Sequence, residues 1–289
     1  MSWTLKSLAA AAAFVAAGSA SAMPFTLTGA GGFYPPDDPN IDYKTHDPYD
    51  FTLQNLLGQS KLTFSPSLIQ AQNTIRTQVV SVDPAKVSVT YKTNAATKVV
   101  SIATAAVAAP IQSLTGNVSF GEGLSLWSVN TTLDGFRLKA VQPNIATTGG
   151  FLEIRDLSLD LRKKKVFATL SGGNGIGLLN NVELWDVATV TGPTSSDWSS
   201  FTPHRLTQLT FANTLSGLTI NPATYDVFAT ALGLTAAGKL SLSRVTDFGT
   251  INYSTSLQVF PPVPEPTSYA LMGAGLLAIS LTARRRRAR

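Results

Sequence analysis

Apolar and polar residues alternate with a period of two through most of the chain's interior, the pattern of strands with one face buried and one in water. Val87, Val89 and Tyr91 alternate with Ser88, Thr90 and Lys92, and Thr93-Asn94-Ala95-Ala96 reads as a turn before a strand over 99–104. Over 151–161 the phase changes: Leu152 and Ile154 share one face, while Leu157, Leu159 and Leu161 share the other. That slip near Arg155-Asp156 predicts a β-bulge. Arg162-Lys163-Lys164-Lys165 reads as a hairpin tip, with 166–170 as the return strand. Further strands are expected at 181–190, 207–211, 217–220, 239–245 and 250–258.

The period lengthens in two places. Asn221 is a good N-cap, Pro222 suits the first helical position and Gly233 closes the end, with Tyr225, Phe228, Ala229 and Leu232 on one face between them. A second helical pattern starts at Ser65-Pro66 and runs through Leu68, Ile69, Gln72 and Ile75. Residues 23–60, rich in Gly, Pro and Asp, are expected to be irregular, because Gly29-Ala30-Gly31-Gly32 and Pro35-Pro36-Asp37-Asp38-Pro39 break any regular element. The passenger domain, 61–258, therefore reads as all-β: an antiparallel β-sandwich or jelly-roll-like domain with one or two short helices.

Both ends depart from this pattern. Residues 1–22 read as a secretory signal helix: Lys6 gives the cationic start, 8–17 the short apolar run, and Ala20 and Ala22 flank an A-x-A cleavage site that leaves Met23 first. Signal peptidase and the Sec translocon are the implied partners. At the other end, 259–268 is a proline-rich linker that excludes helix and central strand. Residues 269–283 carry no charge and read as a C-terminal transmembrane helix, halted by Arg284, Arg285, Arg286 and Arg287 in the basic tail 284–289. The run is shorter than a comfortable span, and snorkelling arginines extend its reach.

A Pro264-Glu265-Pro266 motif, then a short apolar helix, then an arginine cluster resembles the PEP-CTERM sorting signal. The resemblance covers Val263 to Arg289. It implies an exosortase as partner, a membrane protease-transpeptidase that cleaves near the motif. It also implies transient anchoring in the inner membrane of a Gram-negative host that makes exopolysaccharide or biofilm, then delivery to the cell surface or extracellular matrix. The family is defined by its tag, so the resemblance says nothing about the activity of 23–262.

Charge points the same way. The chain has a formal net charge of +5, yet Lys6 and the five C-terminal arginines hold six of its 22 cations, and Glu265 one of its 17 anions. The interior is left electrically neutral, which removes the electrostatic case for a nucleic-acid partner. There is no cysteine, so export brings no disulfides, and thiolate metal sites and cysteine nucleophiles are excluded.

No catalytic motif stands out, and neither a cofactor nor a metal is expected. Gly172-Gly173-Asn174-Gly175-Ile176-Gly177 lacks the following helix a phosphate loop needs and reads as a hairpin loop. Asp247-Phe248-Gly249 reads as a turn before the last strand. His46 and His204 stand alone, with no nucleophile elbow or zinc motif, which leaves a hydrolase only as a third reading. Asp37, Asp38, Asp42, Asp47 and Asp50 are spaced as a solvated linker more than as a Ca²⁺ loop. The leading reading is a structural or adhesive matrix protein. The alternative is a carbohydrate-binding module that uses Trp198 with Lys163 and Lys164 of the basic tip; Trp185 reads as core and Trp127 as either.

Overall fold

The computed structural model describes residues 23–29, 31–32, 52–119, 123–131, 135–140, 143–196 and 206–260. The period-two segments pair into one antiparallel sheet of 14 strands. Its spine is six neighbours: β2 (Thr52–Phe64), β14 (Gly249–Phe260), β13 (Thr207–Ile220), β11 (Gly177–Thr191), β10 (Lys165–Gly172) and β9 (Gly150–Asp160). Both edges of the spine lead into branches. On β2, residues 59–63 pair with β5 (Val100–Pro110), which carries β4 (Lys86–Thr93). On β9, residues 150–155 pair with β8 (Gly135–Ala140), which carries β3 (Thr77–Val82). Ser158, Leu159 and Asp160 pair instead with β7 (Gly123–Asn130), and the sheet continues through β6 (Ser113–Ser119) to β1 (Met23–Thr28). The two-residue β12 (Ser195–Ser196) adds to β7.

The fork in β9 falls at Asp156, whose φ is +52°. Arg155 pairs with Thr169 and Ser158 with Phe167, so two residues of β9 face one of β10. The bulge read from the phase slip is present, and it is where β9 exchanges one partner strand for another.

Connections alternate between the two ends of the spine. The strands are strongly staggered, so the β9–β10 tip stands level with Asp186 of β11 and Thr219 of β13. The helices follow the far ends of two strands: α1 (Pro66–Ile75) follows β2, while α2 (Pro222–Ala231) and α3 (Ala236–Ser243) join β13 to β14. Each helix starts from a capping side chain. Ser65 Oγ accepts from Leu68 N–H at 3.1 Å, Asn221 Oδ1 from Ala223 N–H at 2.9 Å, and Thr235 Oγ1 from Gly238 N–H at 3.4 Å. Gly233, at φ +58°, takes the left-handed turn that ends α2. The inner faces of the strands and the buried faces of the helices form one core, with Leu53, Leu152, Leu170, Leu215 and Leu257 fully enclosed. Each such side chain contributes about 1.5–3 kcal/mol by leaving water.

Several expectations change. The antiparallel all-β class is as expected, and its strands form a single hydrogen-bonded sheet that curls into a half-barrel, bringing β1 against β2, where two stacked sheets were expected. Period two identifies the buried face of a strand but not its neighbours, so one curled sheet and two stacked sheets look alike in sequence. The supposedly irregular 23–60 contains β1 and most of β2, with Phe25, Leu27, Leu53 and Leu56 buried. The strand expected at 239–245 is α3, because Thr235 caps a helix whose Leu240 and Leu242 also fit alternation. There are three helices among the described residues rather than one or two. The strands at 207–211 and 217–220 are one strand, β13, with Gly217 at φ +67° inside it.

Candidate functional site

The cleft best furnished for a ligand lies beside the β9–β10 tip. Ser128 of β7 lies opposite Asp160 of β9, and this register sets Trp127 beside the tip. Leu161 N–H donates to the Trp127 carbonyl at 2.9 Å, tying the turn to the strand. Asp160 Oδ1 accepts from the backbone N–H groups of Arg162 at 3.1 Å and Lys163 at 2.8 Å, an Asx-type turn that fixes where both side chains begin. The Arg162 guanidinium then lies over the half-buried Trp127 ring, 4.8 Å from its centroid. Such stacking contributes about 0.5–1 kcal/mol at an exposed site. Lys163 Nζ stands 3.5 Å from Asp160 Oδ2, and Thr115 and Ser128 share a hydroxyl hydrogen bond of 2.6 Å on the adjoining strands. Together these groups enclose a cleft of about 430 Å³.

The charges around this cleft are unequally satisfied. Lys165, at the foot of the tip, bonds Glu183 at 2.5 Å and lies 3.4 Å from Asp186. The hydrogen bond to Glu183 raises the Lys165 ammonium above its usual value, and the same bond holds the Glu183 carboxyl below its own. Arg162 and Lys164 have no carboxylate within ion-pair reach among the described residues. The cleft therefore combines an aromatic surface, two hydroxyls, one carboxylate and a surplus of cationic donors.

A second cleft, of about 350 Å³, includes Glu153, Arg155 and Asp156. Its deeply buried Glu153 is held by the guanidiniums of Arg137 and Arg155, with Arg137 Nε donating at 2.8 Å, which occupies that carboxylate in bracing β8 against β9. Among the described residues no three His, Cys, Asp or Glu side chains gather where a metal ion could be held.

The structure brings some of the sequence candidates together and not others. Lys163 and Lys164 occupy the exposed tip as expected. Trp185 is core, 2% exposed. The 172–177 loop is the turn between β10 and β11, and Asp247 forms a turn whose Oδ1 accepts from Leu218 N–H at 3.1 Å and Gly249 N–H at 2.9 Å. Trp198, His46, His204, the 37–50 aspartates, Ala20, Ala22, Pro264, Glu265, Pro266 and Arg284, Arg285, Arg286 and Arg287 lie outside the described residues. Trp127 and Asp160 are what sequence reading left unassigned. The tryptophan and the tip were each visible, but the strand pairing that joins them was not.

No described helix is long and apolar enough to cross a membrane, and the 269–283 run lies outside the described residues. No curated protein and no solved structure matches the chain. Residues 262–287 match the PEP-CTERM protein-sorting motif, so the chain carries at its C-terminus the signal of an exported protein that is processed by exosortase.

Proposed function

We propose that the chain enters the Sec translocon and loses residues 1–22 to signal peptidase after Ala22. It is then held in the inner membrane by 269–283 and the arginines behind it until exosortase cuts near Pro264-Glu265-Pro266. Its passenger domain reaches the cell surface or biofilm matrix of a Gram-negative cell, where it acts as an adhesive component that binds acidic polysaccharide. It is a binding module rather than an enzyme.

The observation that carries the ligand class is Arg162, preorganised on the Trp127 ring with its guanidinium free of any carboxylate among the described residues. A sugar ring offers C–H faces to an indole and hydroxyls to Asp160 and Ser128, while a uronate carboxylate suits the fork of Arg162. The test is retention of the processed protein on alginate, a polyuronate, against neutral dextran. Trp127→Ala and Arg162→Gln are each expected to weaken alginate binding by about tenfold or more, and added salt to weaken it further. Equal retention on dextran, or unchanged binding by Trp127→Ala, would overturn the reading. Trp198→Ala serves as the comparison: loss there, and not at Trp127, would move the site to Trp198.

A further inference from the structure

The sheet has a seam that its own strands leave open. β3 and β4 are consecutive, and Ala85 N–H donates to the Val82 carbonyl at 3.1 Å in the turn between them, yet the two strands do not pair. β3 commits one edge to β8, and β4 commits one edge to β5. Were they to pair, β4, β5, β2, β14, β13, β11, β10, β9, β8 and β3 would form a closed ring. Away from the turn the seam widens into a cavity of about 500 Å³, bounded by the last turn of α1 and the adjoining ends of β3, β4 and β5.

Polar groups without partners line this cavity. Gln72 is 2% exposed, and among the described residues neither its Nε2 nor its Oε1 has a hydrogen-bond partner; the buried Thr77 Oγ1 lacks one too. A buried amide in that state calls for a donor and an acceptor side by side. The next residue shows what supplies them. Asn73 Oδ1 accepts from Ile102 N–H at 2.7 Å, and its Nδ2 donates to the Ile102 carbonyl at 2.9 Å, so one amide side chain reads both main-chain groups of one extended residue. Around the mouth, Tyr91, Val99 and Val100 are 60%, 58% and 61% exposed. Arg76, Lys92 and Lys98 stand at or beside those residues with no carboxylate in reach among the described residues. The lysines discourage pairing with a second copy of this same edge and favour an acidic partner.

We propose that the seam is a docking slot for an extended acidic peptide segment of a partner protein, one residue of which gives its N–H and C=O to the Gln72 amide as Ile102 does to Asn73. Its apolar side chains lie on Tyr91, Val99 and Val100, and its carboxylates face Arg76, Lys92 and Lys98. This is strand addition with a side-chain amide as the reader of register.

The test is fluorescence anisotropy of the processed protein with a labelled octapeptide that alternates Val and Asp. Two control peptides carry N-methyl groups at alternate residues, or Lys in place of Asp. Gln72→Leu is expected to weaken binding by about tenfold or more and to raise Tm, because the unpartnered amide is gone. Tyr91→Ala, at an exposed position, is expected to weaken binding with Tm unchanged. No binding of the Val/Asp peptide up to about 1 mM, unchanged binding by Gln72→Leu, or equal binding of the N-methylated peptide would each overturn the proposal. Equal binding of the Lys peptide would overturn its acidic character. Alginate retention by Gln72→Leu is expected to match wild type, so this site and the Trp127 cleft are tested separately.

Discussion

Tyr253→Phe isolates one unusual group in the core. Tyr253 lies on the inner face of β14, opposite Asn213 of β13 and Ser60 of β2, and is 2% exposed. Among the described residues its hydroxyl has no partner, and neither have the Asn213 amide nor the Thr255 hydroxyl beside it. Burial pushes the phenol above its ordinary value of 10.0. At neutral pH the substitution removes a desolvated polar atom and leaves the ring in place, so the variant is expected to be more stable by about 1–3 kcal/mol. For a domain of this size that is roughly 2–4 °C in Tm per kcal/mol. At alkaline pH the native phenol stays neutral while the unfolded one ionises. The unfolded chain then binds fewer protons, and wild-type stability falls by about 1.4 kcal/mol per pH unit above roughly pH 10. The variant lacks this slope, so subtracting its urea-denaturation curve from that of wild type cancels the other titrating groups. The gap between the two proteins should widen steadily from about pH 9 to about pH 11. A constant gap would mean the phenol ionises inside the fold, and a loss of stability at neutral pH would mean the hydroxyl has a partner; either refutes the reasoning.

Asn174 sits at φ +53° in the β10–β11 turn, and its Nδ2 donates to the carbonyls of Gly149, Thr230 and Ala231, hooking the turn to α2. Asn174→Gly keeps the backbone conformation and removes the hook, so urea denaturation should register a loss of about 1–3 kcal/mol. Glu183 joins Lys165 of β10 to Asn221, the N-cap of α2, by hydrogen bonds of 2.5 and 2.9 Å. Its lowered pKa means the folded state holds the carboxylate more tightly than the unfolded chain does. The stability this contributes is present above the ordinary carboxylate range and is lost as pH falls through the lowered value. Glu183→Gln should therefore flatten the acid limb of a stability–pH profile, and an unchanged limb would remove Glu183 from the account.

How much of this was legible follows from what each signal measures. The Arg155-Asp156 bulge, the basic tip and the capped helices at Ser65 and Asn221 were readable, because each is written in residues a few positions apart. The half-barrel was not: Ser128 meets Asp160 and Thr52 meets Phe260 through pairings that alternation leaves open. β1 was hidden because the short pattern of Phe25 and Leu27 is bounded by Pro24 and the Gly29 turn, which read as breakers. α3 was misread because Leu240 and Leu242 satisfy alternation, while only Leu242 is buried. The Trp127 cleft combines both cases, with its parts evident in the chain and their meeting set by a fork in the sheet.

The position of β14 carries a consequence for the order of events during secretion. The last described strand is not an edge; it fills the space between β13 and β2 and pairs with both. Asn55 of β2, which donates its Nδ2–H to Gln258 Oε1 of β14, is 203 residues from it in sequence. On the export route proposed above, a chain threaded N-terminus first exposes β2 and β13 as open templates until nearly all of the passenger has emerged, a slow, non-local closure that invites misassociation. The sorting motif begins two residues after β14 ends. A truncated product thus lacks both the strand that seals its sheet and the signal that sends it onward, which couples completion of the fold to eligibility for release.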